Sequence, residues 1–210
     1  MYMKNFVFMV IAFCAMIAMT ANAQSQKGTG KILIAYFTMP ESSGVDAVSG
    51  ASRVVVDGKV IGNVEFVANC IQRATGGDMF AIRTIQTYPG EHQPLLETAR
   101  NELKANARPQ LAARIPDLRN YDTIFLGYPI WWYDLPMPLY SFLDEYNFAG
   151  KTIIPFTVHG GVRFSGTIEK IIALEPQAAV SKEGLAVSRN NVIRSELDVI
   201  TWLRGLGMIH

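Results

Sequence analysis

Residues 122–158 read DTIFLGYPIWWYDLPMPLYSFLDEYNFAGKTIIPFTV and contain one complete strand–helix–strand unit. The runs Asp122–Gly127 and Thr152–Val158 are short and apolar, which is typical of strands covered on both faces. Between them, prolines open a helix whose apolar side chains recur at the spacing i, i+3, i+4 and i+7, as Leu139, Phe142, Leu143 and Tyr146. Because a helical crossover joins parallel strands, this unit predicts a parallel sheet.

The same alternation continues on both sides of the unit. Further strands are predicted at Lys31–Phe37, Met79–Thr84 and Gly184–Val187. Further helices are predicted from apolar stripes, the first of them capped by Asn63 and ended by Gly76-Gly77. These stripes are Val64, Val67, Ala68 and Ile71; Leu96, Ala99 and Leu103; Thr167, Ile168, Ile171 and Ile172; and Ile193, Leu197 and Ile200. The pattern predicts an α/β fold of three layers, with a doubly wound, five-stranded parallel sheet between helices.

The amino terminus has the pattern of an export signal. Lys4 precedes the apolar run Phe6–Met19, and Ala21-Asn22-Ala23 fits a small-residue cleavage site. The run is shorter than the roughly 20 residues that span a bilayer, so we expect no permanent membrane anchor. The predicted organisation is a signal peptide at 1–23 cleaved after Ala23, a short flexible lead at 24–30, and one domain at 31–210. The mature protein is expected outside the cytoplasm, either periplasmic or secreted.

Charge and cysteine content exclude several classes of protein. The 210 residues include 19 Lys plus Arg and 18 Asp plus Glu, so no basic excess indicates binding to nucleic acid. Two cysteines exclude a disulfide scaffold and a cysteine-rich zinc module. Cys70 is expected to be a buried apolar residue of the first helix. The chain lacks the common motifs of serine and metal hydrolases, and we predict no metal site and no catalytic side chain.

Ligands of open parallel α/β sheets bind beyond the carboxyl ends of the strands, where the strand order reverses. The loops that follow the first, third and fourth strands are therefore the candidates: Thr38–Asn63, Gly127–Pro138 and Val158–Thr167. The first of these loops is unusually long and contains a predicted hairpin, Arg53–Ile61, around Asp57-Gly58.

The first loop ends where a helix begins, at Gly62-Asn63-Val64. Unpaired amides and the positive end of the helix dipole favour an anion there. Hydroxyl groups in the loop are candidate phosphate donors: Thr38, Ser42, Ser43, Ser49 and Ser52. The alternative interpretation is an ordinary capped helix after a flexible loop.

The second and third loops carry aromatic residues and glycines. Trp131, Trp132 and Tyr133 follow Pro129-Ile130 and offer a platform for a planar ring. Because adjacent side chains point apart, we expect one tryptophan in the core and one at the ligand. In the third loop, His159 either donates to a ring oxygen or only shapes the loop, and Gly160-Gly161 allow the backbone to approach a ligand.

These motifs together resemble a flavodoxin-like family, in particular its exported bacterial branch. The resemblance rests on GYPIWW at 127–132, PMP at 136–138, FAGKTIIPF at 148–156 and HGG at 159–161, and extends over residues 31–205. It implies a sheet that holds flavin mononucleotide (FMN) without a covalent bond, and it accounts for Pro155 in a strand, since the family has a proline there. The residues that would bind the cofactor are Thr38, Ser52, Gly62, Asn63, Val64, Pro129, Ile130, Trp131, Trp132, Thr157, His159, Gly160 and Gly161.

The chain departs from the family pattern in its phosphate loop. Gly62 follows Thr38 by 24 positions because of an insertion at about 42–61, and Val64 occupies the place of a threonine. The expected function is electron transfer or flavin-dependent oxidoreduction outside the cytoplasm, with a redox partner protein or a quinone. The alternative is a binding module that keeps the fold and has lost the flavin.

Overall fold

The structure, a computed structural model, describes residues 30–41 and 52–210. The predicted signal peptide, residues 24–29 of the lead and residues 42–51 of the insertion lie outside the described residues. The strands are β1 (Ile32–Tyr36), β2 (Arg53–Val56), β3 (Lys59–Gly62), β4 (Asp78–Ala81), β5 (Thr123–Pro129), β6 (Thr152–His159), β7 (Ala179–Val180) and β8 (Leu185–Ser188). The helices are α1 (Asn63–Thr75), α2 (His92–Ala105), α3 (Met137–Glu145), α4 (Thr167–Leu174) and α5 (Glu196–Gly205), with 3₁₀ turns at Leu118–Asn120 and Arg189–Arg194.

The central sheet has the strand order β4-β1-β5-β6. On the other side of β6, the short strands β7 and β8 pair one after the other with its first and second halves. Every pairing in this sheet is parallel. The chain passes from β1 to β4 on one side and then crosses to β5 on the other, so the sheet is doubly wound. The predicted fold class is confirmed. The predicted hairpin is also confirmed, as the antiparallel pair β2–β3 with Asp57 and Gly58 at positive φ.

Pro155 is accommodated in β6 because it lies at a break in the neighbouring strand. The amide of Thr152 donates toward β5, to the carbonyl of Asp122. Amides alternate sides along a strand, so the nitrogen of Pro155 is on the opposite side. There, β7 pairs with 152–153 and β8 with 156–159, and position 155 lies at the gap between them. The missing N–H therefore removes no ladder hydrogen bond.

The sheet separates two apolar cores. One lies against α1 and α5 and contains Ile34 and Phe125; the other lies against α3 and contains Leu33 and Ile124. Successive strand residues thus point to opposite layers. Cys70 is buried, as predicted, and burial raises the pKa of its thiol.

The apolar face and the end of α1 agree with the sequence prediction, but its start does not. All four stripe residues, Val64, Val67, Ala68 and Ile71, are fully buried, and Gly76 ends the helix with φ 70°. The sequence predicts Asn63 as the cap of α1, but the cap is Gly62 and Asn63 is the first helical residue. The reason is that β3 runs directly into the helix, so Gly62 is at once the last strand residue and the cap.

The predicted stripe of the last helix is wrong. Leu197 is 78% exposed and Ile193 is 50% exposed, whereas Val199 and Leu203 are buried. Ile193 belongs to the 3₁₀ turn that precedes α5, and α5 begins only at Glu196. The change of helix type shifts the angular phase of the side chains, so a single period of 3.6 residues cannot be continued through Ser195.

Candidate functional site

A cavity of about 310 Å³ lies beyond the carboxyl ends of β1, β5 and β6. This is the point where the strand order reverses, and all three loops selected from the sequence reach it. The first loop contributes Met39, Glu41 and Ser52, the second contributes residues 129–133, and the third contributes Gly160 and Val162. The volume is at the lower end of the range of small-molecule sites and suits one planar ring system.

Trp131 forms part of a cluster of three aromatic rings at this cavity. Its ring centroid lies 5.2 Å from that of Phe37 and 5.5 Å from that of Tyr88, in both cases edge to face. Phe37 and Tyr88 are themselves 5.9 Å apart. Such contacts contribute about 0.5–1.5 kcal/mol each beyond area burial, so the indole is held in one orientation.

The next two residues form a tight turn in an unusual conformation. The amide of Trp131 donates to the Asp134 carbonyl over 3.1 Å, and the amide of Asp134 donates back over 2.9 Å. Between them, Trp132 has φ 51° and Tyr133 has φ 63°. Turns with two positive φ angles usually carry Asn-Gly, and each bulky residue there costs about 1–2 kcal/mol. Strain of this kind is typical of functional sites.

Side-chain contacts hold this strained turn against the helices. The Trp132 indole N–H donates to the carbonyl of Leu96 in α2 over 3.0 Å, and the Arg100 guanidinium lies 5.2 Å from the indole centroid. The buried Asp134 carboxylate accepts from the Tyr140 hydroxyl over 2.9 Å and pairs with Lys170. Burial, followed by the Asp134 hydrogen bond, raises the pKa of Tyr140, which keeps its hydroxyl protonated as a donor.

The start of α1 offers the features of an anion site. The Thr38 hydroxyl oxygen is buried and has no hydrogen-bond partner among the described residues. A Cβ atom placed on Gly62 would lie 2.0 Å from that oxygen, so the hydroxyl sits directly against the backbone at the helix start. Buried hydroxyl groups normally have a partner, and a phosphate oxygen at a helix N-terminus would supply one.

Ser52 links this corner to the cavity. The amide of Asn63 donates to the Ser52 carbonyl over 3.0 Å, and Ser52 also lines the cavity beside the tryptophans. Ser52 therefore belongs both to the start of α1 and to the lining of the cavity. Two features weaken the anion site: the Val64 side chain is fully buried, and the Glu65 carboxylate lies 3.5 Å from the Gly62 amide nitrogen.

The third loop is divided between the cavity and other surroundings. Gly160 lines the cavity, but the Thr157 hydroxyl is buried and donates to the Tyr128 carbonyl over 2.6 Å. The amide of Gly161 donates to His159 Nδ1 over 2.9 Å. Burial, and then the charge of Arg163, lower the pKa of His159, which favours a neutral ring.

The predicted site residues thus fall into three groups. Those that line the cavity are Ser52, Pro129, Ile130, Trp131, Trp132 and Gly160. Those around the start of α1 are Thr38, which lines an adjoining cavity, and Gly62, Asn63 and Val64. The remaining group is Thr157, Gly161 and His159. Thr157 is buried inside the sheet, and His159, which accepts from the Gly161 amide, lines a separate cavity beside β8 and α5.

Sequence reasoning missed the wall of the cavity that α2 provides. His92, Leu95, Leu96 and Ala99 line the cavity, and the His92 Nδ1 lies 2.7 Å from a carboxylate oxygen of Glu41. The apolar spacing of α2 was visible in the sequence, but it does not say which surface the stripe covers. No local signal joins Glu41 to His92, since 51 positions separate them.

Comparison with known proteins agrees with this geometry. A sequence profile described as flavodoxin matches residues 31–205. Among solved structures, the chain is similar to a candidate flavoprotein from Bacteroides eggerthii, with a TM-score of 0.61, 23% identity and coverage of 84% of this chain and 98% of that one. A second, from Bacteroides uniformis, has a TM-score of 0.62, 24% identity and coverage of 83% and 98%.

A third similar structure contains a cofactor. It is a flavoprotein in complex with FMN from Lactobacillus acidophilus, with a TM-score of 0.56, 17% identity and coverage of 79% of this chain and 97% of that one. No curated protein matches the chain by sequence. At these identities the structures show the shared fold, and the profile covers most of the chain. The strand order, the cavity at its reversal and the profile match lead to one conclusion: this chain belongs to the flavodoxin family.

Proposed function

We propose that the protein binds FMN in the cavity between its three loops and uses it for electron transfer or flavin-dependent oxidoreduction. The observation that carries the proposal is the hydrogen bond between the Asn63 amide and the Ser52 carbonyl, which joins the start of α1 to the aromatic cavity. A molecule with a planar ring and a phosphate tail suits both the aromatic cavity and the start of α1. The FMN bound by the Lactobacillus acidophilus flavoprotein supports this choice of cofactor.

The residues present fit the two ends of FMN. Both Trp131 and Trp132 line the cavity, whereas the sequence predicts that one of them lies in the core. Both indoles would contact the ring, and the backbone at Gly160 would border it. The Thr38 hydroxyl and the amides at the start of α1 would hold the phosphate. The bound flavin accepts and releases electrons, while the chain orients the ring and excludes water from it.

Binding is tested with purified protein and added FMN. We expect a yellow protein or, from flavin-free protein, quenching of tryptophan fluorescence at micromolar FMN. Replacement Trp131→Ala or Trp132→Ala should weaken binding roughly 2- to 10-fold, because each removes ring contact worth about 0.5–1.5 kcal/mol. Trp202→Phe is the matched control, since Trp202 lines the other cavity. Unchanged affinity in both single variants and in the double variant would contradict the proposed ring site.

We further propose that the protein acts outside the cytoplasm, as the pattern of residues 1–23 indicates. Within residues 30–41 and 52–210, no helix has the length and apolar character needed to cross a membrane. Cell fractionation followed by mass spectrometry of the mature amino terminus tests the proposal. We expect a chain that begins at Gln24 in the exported fraction; an intact Met1 terminus in the cytoplasm would overturn it.

A second candidate function is a binding module that has lost the flavin. Two observations favour it: Val64 presents no hydroxyl group at the start of α1, and Glu65 places a negative charge there. Titration with FMN, riboflavin and inorganic phosphate separates the two functions. Tight FMN binding excludes the second; no response to either flavin excludes the first.

A further inference from the structure

A second cavity adjoins the aromatic one, at the carboxyl ends of β1 and β4. It has a volume of about 310 Å³, and Met39 lines both cavities. Its walls come from the end of β1, the first turn of α1 and the chain after β4. Among the described residues, its lining includes one positively charged side chain, Arg83, and one negatively charged side chain, Glu65. Thr38 also lines it, so the proposed phosphate end of the site borders this second cavity.

Two hydroxyl groups at this second cavity have no hydrogen-bond partner among the described residues. The Thr38 hydroxyl oxygen is buried without one. Tyr36 is 7% exposed and lines the cavity, and none of the hydrogen bonds within the described residues involves its hydroxyl. Burial first and then the charge of Glu65 raise the pKa of Tyr36, and the charge of Arg83 lowers it, so the hydroxyl stays protonated beside both charged groups. Two unpartnered donors at one cavity indicate a ligand with several acceptor oxygens.

The residues assigned to the phosphate around the start of α1 supply no positive side chain. They are the uncharged Thr38, Gly62, Asn63 and Val64. The helix start contributes the equivalent of about +0.5 elementary charge, whereas a phosphate monoester carries about −1.5 to −2 near pH 7. The Glu65 carboxylate, 3.5 Å from the Gly62 amide nitrogen, adds further negative charge. A phosphate at this position therefore requires a cation from another part of the chain.

Arg83 lies where it can supply this charge. The amide of Ile82 donates to the Tyr36 carbonyl over 2.7 Å, which holds the chain after β4 beside the end of β1. The amide of Ala112 donates to the Arg83 carbonyl over 2.8 Å and fixes the backbone at this residue. The Arg83 side chain is exposed, and its guanidinium forms no ion pair within residues 30–41 and 52–210. Its charge is thus available at the cavity that Thr38 also lines.

From this geometry we infer that Arg83 binds the phosphate group of FMN, together with the hydroxyl groups of Tyr36 and Thr38. The guanidinium presents its N–H donors in a fork that suits phosphate oxygens, and its charge offsets that of Glu65. The inference rests on the proposed function, because it assigns residues to the phosphate end of that site. Arg83 also takes the place of the hydroxyl group that is absent at Val64.

Paired titrations of flavin-free protein with FMN and riboflavin test this role, because the two flavins differ only in the phosphate group. Arg83→Gln should weaken FMN binding roughly 10-fold and change riboflavin binding by less than about twofold. The expected factor is at the low end for a hydrogen bond to a charged group, because Arg83 is exposed. The loss should be smaller in about 1 M salt, where the screening length is about 3 Å.

Matched variants separate a phosphate contact from a general effect of charge. Arg83→Lys keeps the charge but loses the fork, so it should recover part of the FMN affinity. Glu65→Gln should strengthen FMN binding and leave riboflavin binding unchanged, because it removes the opposing charge. Arg119→Gln removes a positive charge before β5, at the opposite edge of the sheet, and should change the binding of neither flavin. The inference is overturned if Arg83→Gln leaves FMN binding unchanged, weakens both flavins equally, or has no larger effect than Arg119→Gln.

A measurement with inorganic phosphate requires no flavin. The ³¹P signal of millimolar phosphate should broaden when flavin-free wild-type protein is added, and much less when the Arg83→Gln variant is added. A protein that binds phosphate in this way but neither flavin contradicts the proposed function and retains the Arg83 site. A protein that binds FMN and riboflavin equally well, with the same phosphate signal in the wild type and the variant, contradicts the role of Arg83 alone.

Discussion

Trp132 and Tyr133 are two adjacent residues at which local preference and observed conformation disagree. Both have positive φ, although neither is glycine, asparagine or aspartate. The bond from the Trp132 indole to Leu96 and the Asp134 contacts to Tyr140 and Lys170 keep the turn in place. Strain at these two residues therefore positions aromatic surface at the cavity rim.

We predict that Tyr133→Gly raises the free energy of unfolding by about 1 kcal/mol relative to Tyr133→Ala, because glycine adopts φ 63° without the steric cost of a Cβ atom. The alanine variant is the control, since both variants lose the same exposed ring. Urea unfolding measures the difference. Equal stability of the two variants would show that the turn relaxes to another conformation.

At the scale of elements, the junction of β3 and α1 forms the proposed phosphate end of the site. The two elements meet at Gly62 without an intervening loop, so the position of the first turn of α1 depends on the position of the hairpin β2–β3. This places the amides of α1 next to Thr38 at the end of β1, although 24 positions separate Gly62 from Thr38. The insertion thus lengthens the connection between β1 and α1 in sequence, while Thr38 and Gly62 at its two ends remain in contact.

We predict that Gly62→Ala destabilises the fold by about 1–3 kcal/mol, because the added Cβ atom would meet the Thr38 hydroxyl at 2.0 Å. The same change should weaken FMN binding more than riboflavin binding, since the clash is at the phosphate end. Thermal unfolding and paired titrations measure both effects. Gly205→Ala is the control, because a Cβ atom there meets no atom within 4 Å; a comparable loss in that variant would argue against the specific clash.

For the whole molecule, pH acts on stability through Glu175, at the end of α4. Burial, and then the charge of Asp144, raise the pKa of Glu175 to about 7 from the ordinary value of 4.5. The folded state therefore holds this proton more tightly than the unfolded state. The stabilisation is complete below about pH 4.5 and is lost as the pH rises to about 7.

In the wild-type protein, the free energy of unfolding should fall between pH 5 and pH 8 as Glu175 loses its proton. We predict that this fall is smaller by about 1 kcal/mol in the Glu175→Gln variant, which has no proton to lose at this position. The expected difference is smaller than the full pKa shift of Glu175 would give, because the carboxyl group is partly solvated. Urea unfolding at the two pH values measures the effect. Lys182→Gln, an exposed charge change after β7, should show no such difference; if it does, the pH effect belongs to net charge.

Most of the fold was predictable because its signals are local. The run 122–158 gives β5, α3 and β6 from patterns within a few residues, and each of them is confirmed. β7 was missed because two residues are too short to show a period. The buried face of α5 was predicted wrongly because a 3₁₀ turn precedes this helix. Its number of residues per turn differs from that of an α-helix, so the apolar spacing does not continue from the turn into α5.

The candidate site was predictable only where it follows from strand order. The loops after β1, β5 and β6 meet because parallel strands bring their carboxyl ends to one edge. The wall from α2 and the pair of Glu41 with His92 depend on how a helix packs across the sheet, which a single sequence does not encode locally. The same holds for His159, whose neighbouring glycine faces the cavity while its own ring does not.

The gap opposite Pro155 has a consequence for behaviour at high concentration. Beyond β6, the outer border of the sheet consists of β7, with two residues, and β8, with four, and the opposite border, β4, also has four. Strand borders that are long and flat recruit strands from other molecules and begin to polymerise. Borders this short and interrupted offer little template, so we expect the central sheet to resist edge-to-edge aggregation even at high protein concentration.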